Sequence, residues 1–240
     1  MRLVLGLAVA FAFAMSNSPA AVAQSPGGAS GQAPAASVGQ GWNSNVSTGP
    51  STAPTAAIFD ERQTKALTDA SRFFNDLKQM TGIFIQTNAD GKRLRGRFSI
   101  KQPGRFRFDY GSGSKMVIVS DGKYLAIQDH DLKTDDRIEL DRTPFRILLR
   151  QDVDIMRDAH VLEVEDSGDL IIISMQDKDP NAPGRIRLFL ARSPELQLKE
   201  WITTDLQGID TKVEVVSSTT SETIDDAIFR PPPVALNRIQ

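Results

Sequence analysis

The sequence contains no cysteine and only two histidines, His130 and His160. Lack of cysteine excludes disulfides, thiolate nucleophiles, zinc ribbons and iron–sulfur clusters together. So few histidines leave little room for imidazole metal sites or catalytic triads. Neither sign of charge dominates, since 28 basic residues face 30 acidic ones for a formal net charge of −2. The chain as a whole therefore offers no field that would attract a polyanion. No phosphate-cradling P-loop, GxSxG elbow, HExxH pair or dinucleotide glycine fingerprint occurs. These absences argue against an enzyme, and no cofactor is expected.

What is present starts with an export signal over residues 1–23. Arg2 gives a positive start, Leu3 to Met15 form an apolar run, and Ala21-Val22-Ala23 supplies a small-x-small cleavage site before Gln24. The run is shorter than the roughly 20 residues that span a bilayer. A cleavable signal of this kind would place the mature chain outside the cytoplasm. From Gln24 to Phe59 there is no charged residue, and Gly, Ser, Pro, Ala and Thr dominate around a single large side chain, Trp42. Such a stretch buries too little apolar area to offset its ordering entropy, so residues 24–59 read as a disordered linker. The folded domain is expected over 60–240.

Within that domain Leu67, Ala70, Phe73, Phe74, Leu77 and Met80 recur at helical spacing, which predicts an amphipathic helix from Gln63 to Met80 closed by Gly82. Short alternating segments separated by turn residues follow, about eleven by count. Leu94, Phe98, Ile100, Phe106, Phe108 and Tyr110 alternate with Arg93, Arg95, Arg97, Lys101, Arg105 and Arg107. Thr143-Pro144 reads as an N-cap with proline at the first helical position, opening a short apolar helix over Phe145 to Leu149. Period-two alternation on consecutive hairpins means one antiparallel sheet with a dry and a wet face. A sheet of this many strands tends to curl, split or close. The expected fold is mainly β: a strongly curved or barrel-like antiparallel sheet whose apolar concavity is covered by the two helical segments.

The remaining chemical candidates are weak. Asp129-His130-Asp131 cannot converge from one strand and reads as a solvated loop end. Asp177-x-Asp179-x-Asn181 opens like a calcium loop, but Ala182 stands where glycine is required and Leu188 where a bidentate Glu is required. The acidic pairs Asp152/Asp154 and Asp225/Asp226 read as helix starts and turns. Period two puts the basic residues between Lys92 and Arg107 on the face opposite the aromatics, which counts against nucleic acid. Arg93, Arg95 and Arg97 are then either a plain wet face or a docking surface for an acidic partner or anionic headgroups. The inward residues either pack solidly or line a cavity, and periodicity alone does not separate the two.

An ordered series of features from about Ala66 to Pro233 resembles the periplasmic outer-membrane lipoprotein carrier family (LolA-type). The amphipathic helix runs into Ile83-Phe84-Ile85-Gln86. Gly96-Arg97-Phe98-Ser99-Ile100-Lys101-Gln102-Pro103-Gly104-Arg105-Phe106-Arg107-Phe108 is similar to the family's central stretch. Val119-Ser120-Asp121-Gly122-Lys123 matches its turn, Thr143-Pro144-Phe145 opens its central helix, and Phe229-x-Pro231-Pro232 resembles its close. The resemblance implies an unclosed eleven-stranded barrel with a helical lid over an acyl-chain cavity. It implies a monomeric carrier that accepts acylated lipoproteins from an inner-membrane ATP-driven transporter and delivers them to an outer-membrane acceptor. Phe98, Ile100, Phe106, Phe108 and Tyr110, with Leu94 on the same face, would line the cavity. Phe145, Ile147, Leu148 and Leu149 would form the lid. Many members carry Arg immediately before the strand proline as a lid latch, where this chain has Gln102, with Arg105 as a nearby substitute. The alternatives are an envelope sensor of the same fold that reports bound lipoprotein to a signalling partner, and an exported interaction module with a filled core.

Overall fold

A computed structural model describes residues 59–111, 114–221 and 223–234. The export signal, and all of the linker except Phe59, lie outside the described residues. Phe59 packs against the core. Folding into regular structure begins at Asp60, whose carboxylate accepts the Gln63 backbone N–H at 2.7 Å while the Gln63 side chain accepts the Asp60 N–H at 3.1 Å. This reciprocal pair satisfies two amides that a helix start would otherwise leave unpaired. Helix α1 (Glu61–Asp76) then buries Ala66, Leu67, Ala70 and Phe74.

The expected helix end at Met80–Gly82 is wrong. Helix α1 stops at Asp76, Leu77 is extended, and Gln79–Thr87 forms strand β1. Leu77 and Met80 keep their places in the core, as cap and strand residues rather than helical ones. The backbone ladder decides the matter. Gln79 to Thr87 pair with β2 (Arg93–Lys101) on one side, and from Thr81 onward with β11 (Asp210–Thr219) on the other. A further helical turn would forfeit those hydrogen bonds. Gly82 serves the strand, since a Cβ there would sit 2.6 Å from the Phe98 ring.

Strands β3 (Arg105–Tyr110), β4 (Met116–Asp121), β5 (Tyr124–Asp129) and β6 (Thr134–Glu139) continue the meander. A 3-10 turn (Leu140–Arg142) and two one-turn helices, α2 (Arg146–Leu149) and α3 (Ile155–Asp158), lead to β7 (Ala159–Asp166), β8 (Leu170–Asp177), β9 (Arg185–Ala191), β10 (Gln197–Thr204) and β11. Each strand pairs antiparallel with its neighbours in the order β6-β5-β4-β3-β2-β1-β11-β10-β9-β8-β7. The result is one antiparallel sheet, as the alternation implied, and it is the unclosed eleven-stranded form that the family resemblance implied, with β6 and β7 as its free edges. The chain joining those edges carries α2 and α3.

Thr143 does not cap α2. Its hydroxyl donates to the Leu140 carbonyl at 2.8 Å and closes the preceding 3-10 turn. Helix α2 follows Phe145 without a side-chain cap. Asp154 caps α3 by accepting the Arg157 N–H at 3.0 Å, and Asp225 caps a second 3-10 turn (Asp226–Phe229). Asp129 accepts the amides of Asp131 and Leu132, so Asp129-His130-Asp131 is a loop end as expected.

Inward side chains from every strand but β6 join one hydrophobic cluster that also takes the buried stripe of α1, and from β6 the half-buried Ile138 packs against it. On the outside of β3–β5 the C-terminal segment lies across the sheet. Arg107 donates to the Ile228 carbonyl at 3.0 Å, Gln128 to the Pro232 carbonyl at 2.9 Å, and Phe229 is 1% exposed. Helix α1 is fastened to the other half by ions. Arg192, just past β9, reaches Asp69 on α1 at 3.0 Å and Asp166 at the end of β7 at 2.8 Å. Burial alone would raise both carboxyls. Bonds from Lys65 and Arg192 outweigh it at Asp69, and the Gly168 amide with Arg192 and Arg62 outweighs it at Asp166, so both titrate below the usual range.

Depressed carboxyl values mean stability that is present above the unfolded value of about 4 and lost as pH falls through the folded one. Arg192→Met is expected to cost about 1–2 kcal/mol at neutral pH and to flatten the acid loss below about pH 4. Urea unfolding of both proteins across that range checks this, and parallel acid profiles would refute it.

Candidate functional site

The concave face of the sheet encloses a cavity of about 110 Å³. Its walls come from β1–β5 and β9–β11, with Phe74 of α1 and three residues of the connector between the free edges: Phe145, Leu148 and Leu149. Period two explains the wall. Inward positions of β2 and β3 carry Phe98, Ile100, Phe106, Phe108 and Tyr110, opposite one another in register as Phe98↔Phe108, Ile100↔Phe106 and Gly96↔Tyr110. Glycine at 96 is required, because a Cβ would lie 2.3 Å from the Asp109 carbonyl and 2.5 Å from the Phe84 ring.

Phe108 is the hub of this wall. Its ring meets Phe84 edge-on at 5.1 Å, stacks with Phe98 at 5.9 Å, and contacts Phe106 at 5.8 Å and Trp201 at 6.1 Å. Aromatic pairs at such separations favour each other beyond simple area burial. Phe106 in turn reaches Phe145 of the connector at 6.3 Å. At one end of the cavity Tyr110 donates a buried hydrogen bond to Gln86 at 2.5 Å. Burial pushes the Tyr110 hydroxyl well above its ordinary range, so it remains a donor.

Of the residues expected to line the cavity, Ile100, Phe106, Phe108 and Tyr110 do so. Phe98 is buried behind Phe108, and Leu94 is half-buried beside the core; neither lines the cavity. Of the four lid residues, Phe145, Leu148 and Leu149 face the cavity, whereas Ile147 is buried elsewhere in the core. The second half of the wall went unnamed, notably Ile186, Leu188, Leu198, Trp201 and Val213. The same alternation was readable in β9–β11 and would have found them.

Helix α2 is held on both sides. At its C-terminus the Gln102 side chain donates to the Leu148 carbonyl at 2.9 Å and the Gly104 amide donates to the Leu149 carbonyl at 2.7 Å. Those carbonyls have no partner within so short a helix. Arg105 is not a latch: it lies across from Lys101 at the base of the same hairpin, and both cations pair with Asp226 of the C-terminal segment. At the other side Arg146 of α2 grips Asp177 at the end of β8 with two bonds of 2.6 and 2.9 Å. The Asp177 side chain is fully buried. Its hydrogen bonds to the Asp177 carboxylate raise the Arg146 guanidinium further above its ordinary value. Asp177 thus belongs to the connector's fastening and not to a calcium loop. Among the described residues no group of three or more His, Cys, Asp or Glu is placed to hold a metal ion.

The residues that follow α2 are anchored on α1. Asn75 donates to the Val153 carbonyl at 2.9 Å and accepts the Val153 amide at 2.8 Å, and the Ser71 hydroxyl accepts the Ile155 amide at 3.1 Å. Arg93, Arg95 and Arg97 stand exposed on the outer face of β2. Arg93 lies 3.7 Å from Glu214, while Arg95 and Arg97 have no ion-pair partner among the described residues.

Fold and site together define an open β-barrel binding protein with an apolar interior beneath a short helical lid. The chain belongs to the family described as outer membrane lipoprotein carrier protein LolA, which matches residues 75–232. An outer-membrane lipoprotein carrier protein of Chromobacterium violaceum is 30% identical over 168 residues, covering 66% of this chain and 79% of that protein. An uncharacterized protein of Rickettsia prowazekii is 25% identical over 109 residues, 45% of this chain and 51% of its own length, so the match there spans about half of the relative. Among solved structures, a LolA superfamily protein from Nitrosomonas europaea aligns with a TM-score of 0.39 and 11% identity over 72% of this chain and 99% of that one. The lipoprotein LppX of Mycobacterium tuberculosis aligns with a TM-score of 0.32 and 9% identity over 68% and 96%. No helix among the described residues is long and apolar enough to cross a membrane.

If the two fastenings hold α2 down, Gln102→Ala should speed amide exchange at Leu148 and Leu149 about fivefold, the worth of one neutral hydrogen bond. Asp177→Ala, which leaves Arg146 only the longer contact to Asp179 at 3.6 Å, should cost about 2 kcal/mol and speed the same amides more. Unchanged exchange at these two amides in both variants would show that neither contact restrains the helix.

Proposed function

We propose that this protein binds the acyl chains of lipoproteins in the cavity and carries them across the periplasm from the inner to the outer membrane. The observation that carries the reading is the cavity wall, mostly aromatic and aliphatic, completed by Phe145, Leu148 and Leu149 of a connector that polar contacts fasten to both halves of the sheet. Each methylene withdrawn from water gains about 0.8 kcal/mol, so ten are worth about 8 kcal/mol and cannot cross an aqueous gap unshielded. A cavity of about 110 Å³ is smaller than the 150 Å³ that admits benzene, and a C16 chain scales to roughly 400 Å³. The cavity is therefore too small as it stands for an acyl chain, and loading requires Phe145, Leu148 and Leu149 to withdraw.

That requirement suits a carrier. A lid favoured in its closed state by only a few kcal/mol can be shifted by cargo or by a partner. Withdrawing each large apolar side chain costs about 1.5–3 kcal/mol, which burial of even one acyl chain offsets. The inner-membrane transporter that supplies the cargo and the outer-membrane acceptor that takes it are the partners this role needs. Arg95 and Arg97 are suited to meeting an acidic surface on either. Export by the N-terminal signal would put the protein in the compartment where the work is done.

Purification from bacterial envelopes followed by mass spectrometry is expected to find acylated protein bound to the native chain. Leu148→Glu and Phe108→Asp should come away empty while keeping a native circular-dichroism spectrum. Equal loading of folded native and variant proteins would sink the reading.

A further inference from the structure

The cavity is not greasy throughout. Ile100, Phe106 and Leu148 occupy the end beneath the β2–β3 turn, while Gln86, Tyr110, Thr203 and Thr211 gather at the other. Strand registers bring these four together. Thr203 faces Thr211 across β10 and β11, and Val213, two residues along, faces Gln86 across β11 and β1. Tyr110 completes the group through its bond to Gln86, whose amide passes on to Asn88 at 2.7 Å.

An interior built only for hydrocarbon would not need these groups. Val213 points into the same cavity from the same strand as Thr211, and valine matches threonine in shape. Phe106 and Phe108 fill the inward positions that precede Tyr110 on β3. Thr211 is 8% exposed, and its hydroxyl makes no hydrogen bond among the described residues. The hydroxyl is not sealed off from the cavity, and with no bond of its own it is free to donate to a ligand oxygen there.

We infer that this end of the cavity is a carbonyl subsite, in which the Thr211 hydroxyl donates to the ester carbonyl oxygen of an acyl chain beside the Tyr110–Gln86 pair. The hydrocarbon tail then runs toward the β2–β3 turn, under Leu148. The inference rests on the acyl-carrier reading above and adds to it which part of the ligand is recognised by polarity and where. A bare hydrocarbon would be held less well than an acyl ester, which gives the cavity a preference between ligands of equal length.

The test compares 1-monopalmitoylglycerol with 1-O-hexadecylglycerol, an ether of similar length that lacks the carbonyl, each displacing an apolar fluorescent dye from the native chain. The ester is expected to bind about fivefold tighter, the effect of one neutral hydrogen bond. Thr211→Val should bring the ester down to the affinity of the ether, and a native circular-dichroism spectrum shows that the variant is folded. Equal binding of both lipids by the native chain, or a preference that survives in Thr211→Val, would overturn the subsite and leave the carrier reading standing. Failure of both lipids to displace the dye would overturn the carrier reading and the subsite with it.

Discussion

The two outermost strands of this sheet do not pair, and the rest of the architecture follows from that. An antiparallel sheet of eleven strands curls far enough to make an interior, yet β6 and β7 remain edges with unpaired backbone groups. The chain has to travel from one edge to the other, because β6 ends where the connector begins and β7 begins where it ends. The lid is therefore not an accessory placed over a finished barrel. It is the covalent link between the two edges, and its composition decides whether the concavity is dry. Three of its residues, Phe145, Leu148 and Leu149, complete a wall that the strands leave incomplete.

Apolar and polar contacts divide the labour. The strand-borne wall is locked by ring contacts centred on Phe108, all within one hydrophobic cluster. Helix α2 adds to that cluster but is too short to be stable alone. What fixes its position is a small set of directional bonds, from Gln102 and Gly104 on one half of the sheet and Asp177 on the other. Directional bonds break over a short displacement, whereas area burial fades gradually. A cover retained in this manner would let go over a short displacement, which is what the proposed carrier role requires.

Much of this was legible in the sequence because period two is a strong signal. The run from Gly96 to Phe108 declares a hairpin with a dry and a wet face, and β2 and β3 are that hairpin. Eleven strands, the open sheet and the short helix after Thr143-Pro144 followed from alternation, turn residues and family likeness. The end of α1 was misread because Leu77 and Met80 satisfy helical and core spacing at once, and only the pairing of β1 with two distant strands breaks the tie. Thr143 had the chemistry of a cap but spent its hydroxyl on the turn behind it. Arg105 was a plausible latch by proximity in sequence, yet strand alternation turns it to the outer face with Lys101. The grip of Arg146 on Asp177 joins residues 31 positions apart, and no local pattern announces it. Asp177 attracted notice only as half of a metal motif that the neighbouring residues spoil.

The double hold of Asn75 on Val153 has a mechanical meaning. With Thr143 tied back to Leu140 and Val153 stapled to α1, the ribbon between them is pinned at both ends. A ribbon pinned at both ends can bow outward, but it cannot swing aside like a door on one hinge. Cargo would have to slip in sideways beneath the bowed span, and the span's length would limit how thick a bundle of tails can pass at one time.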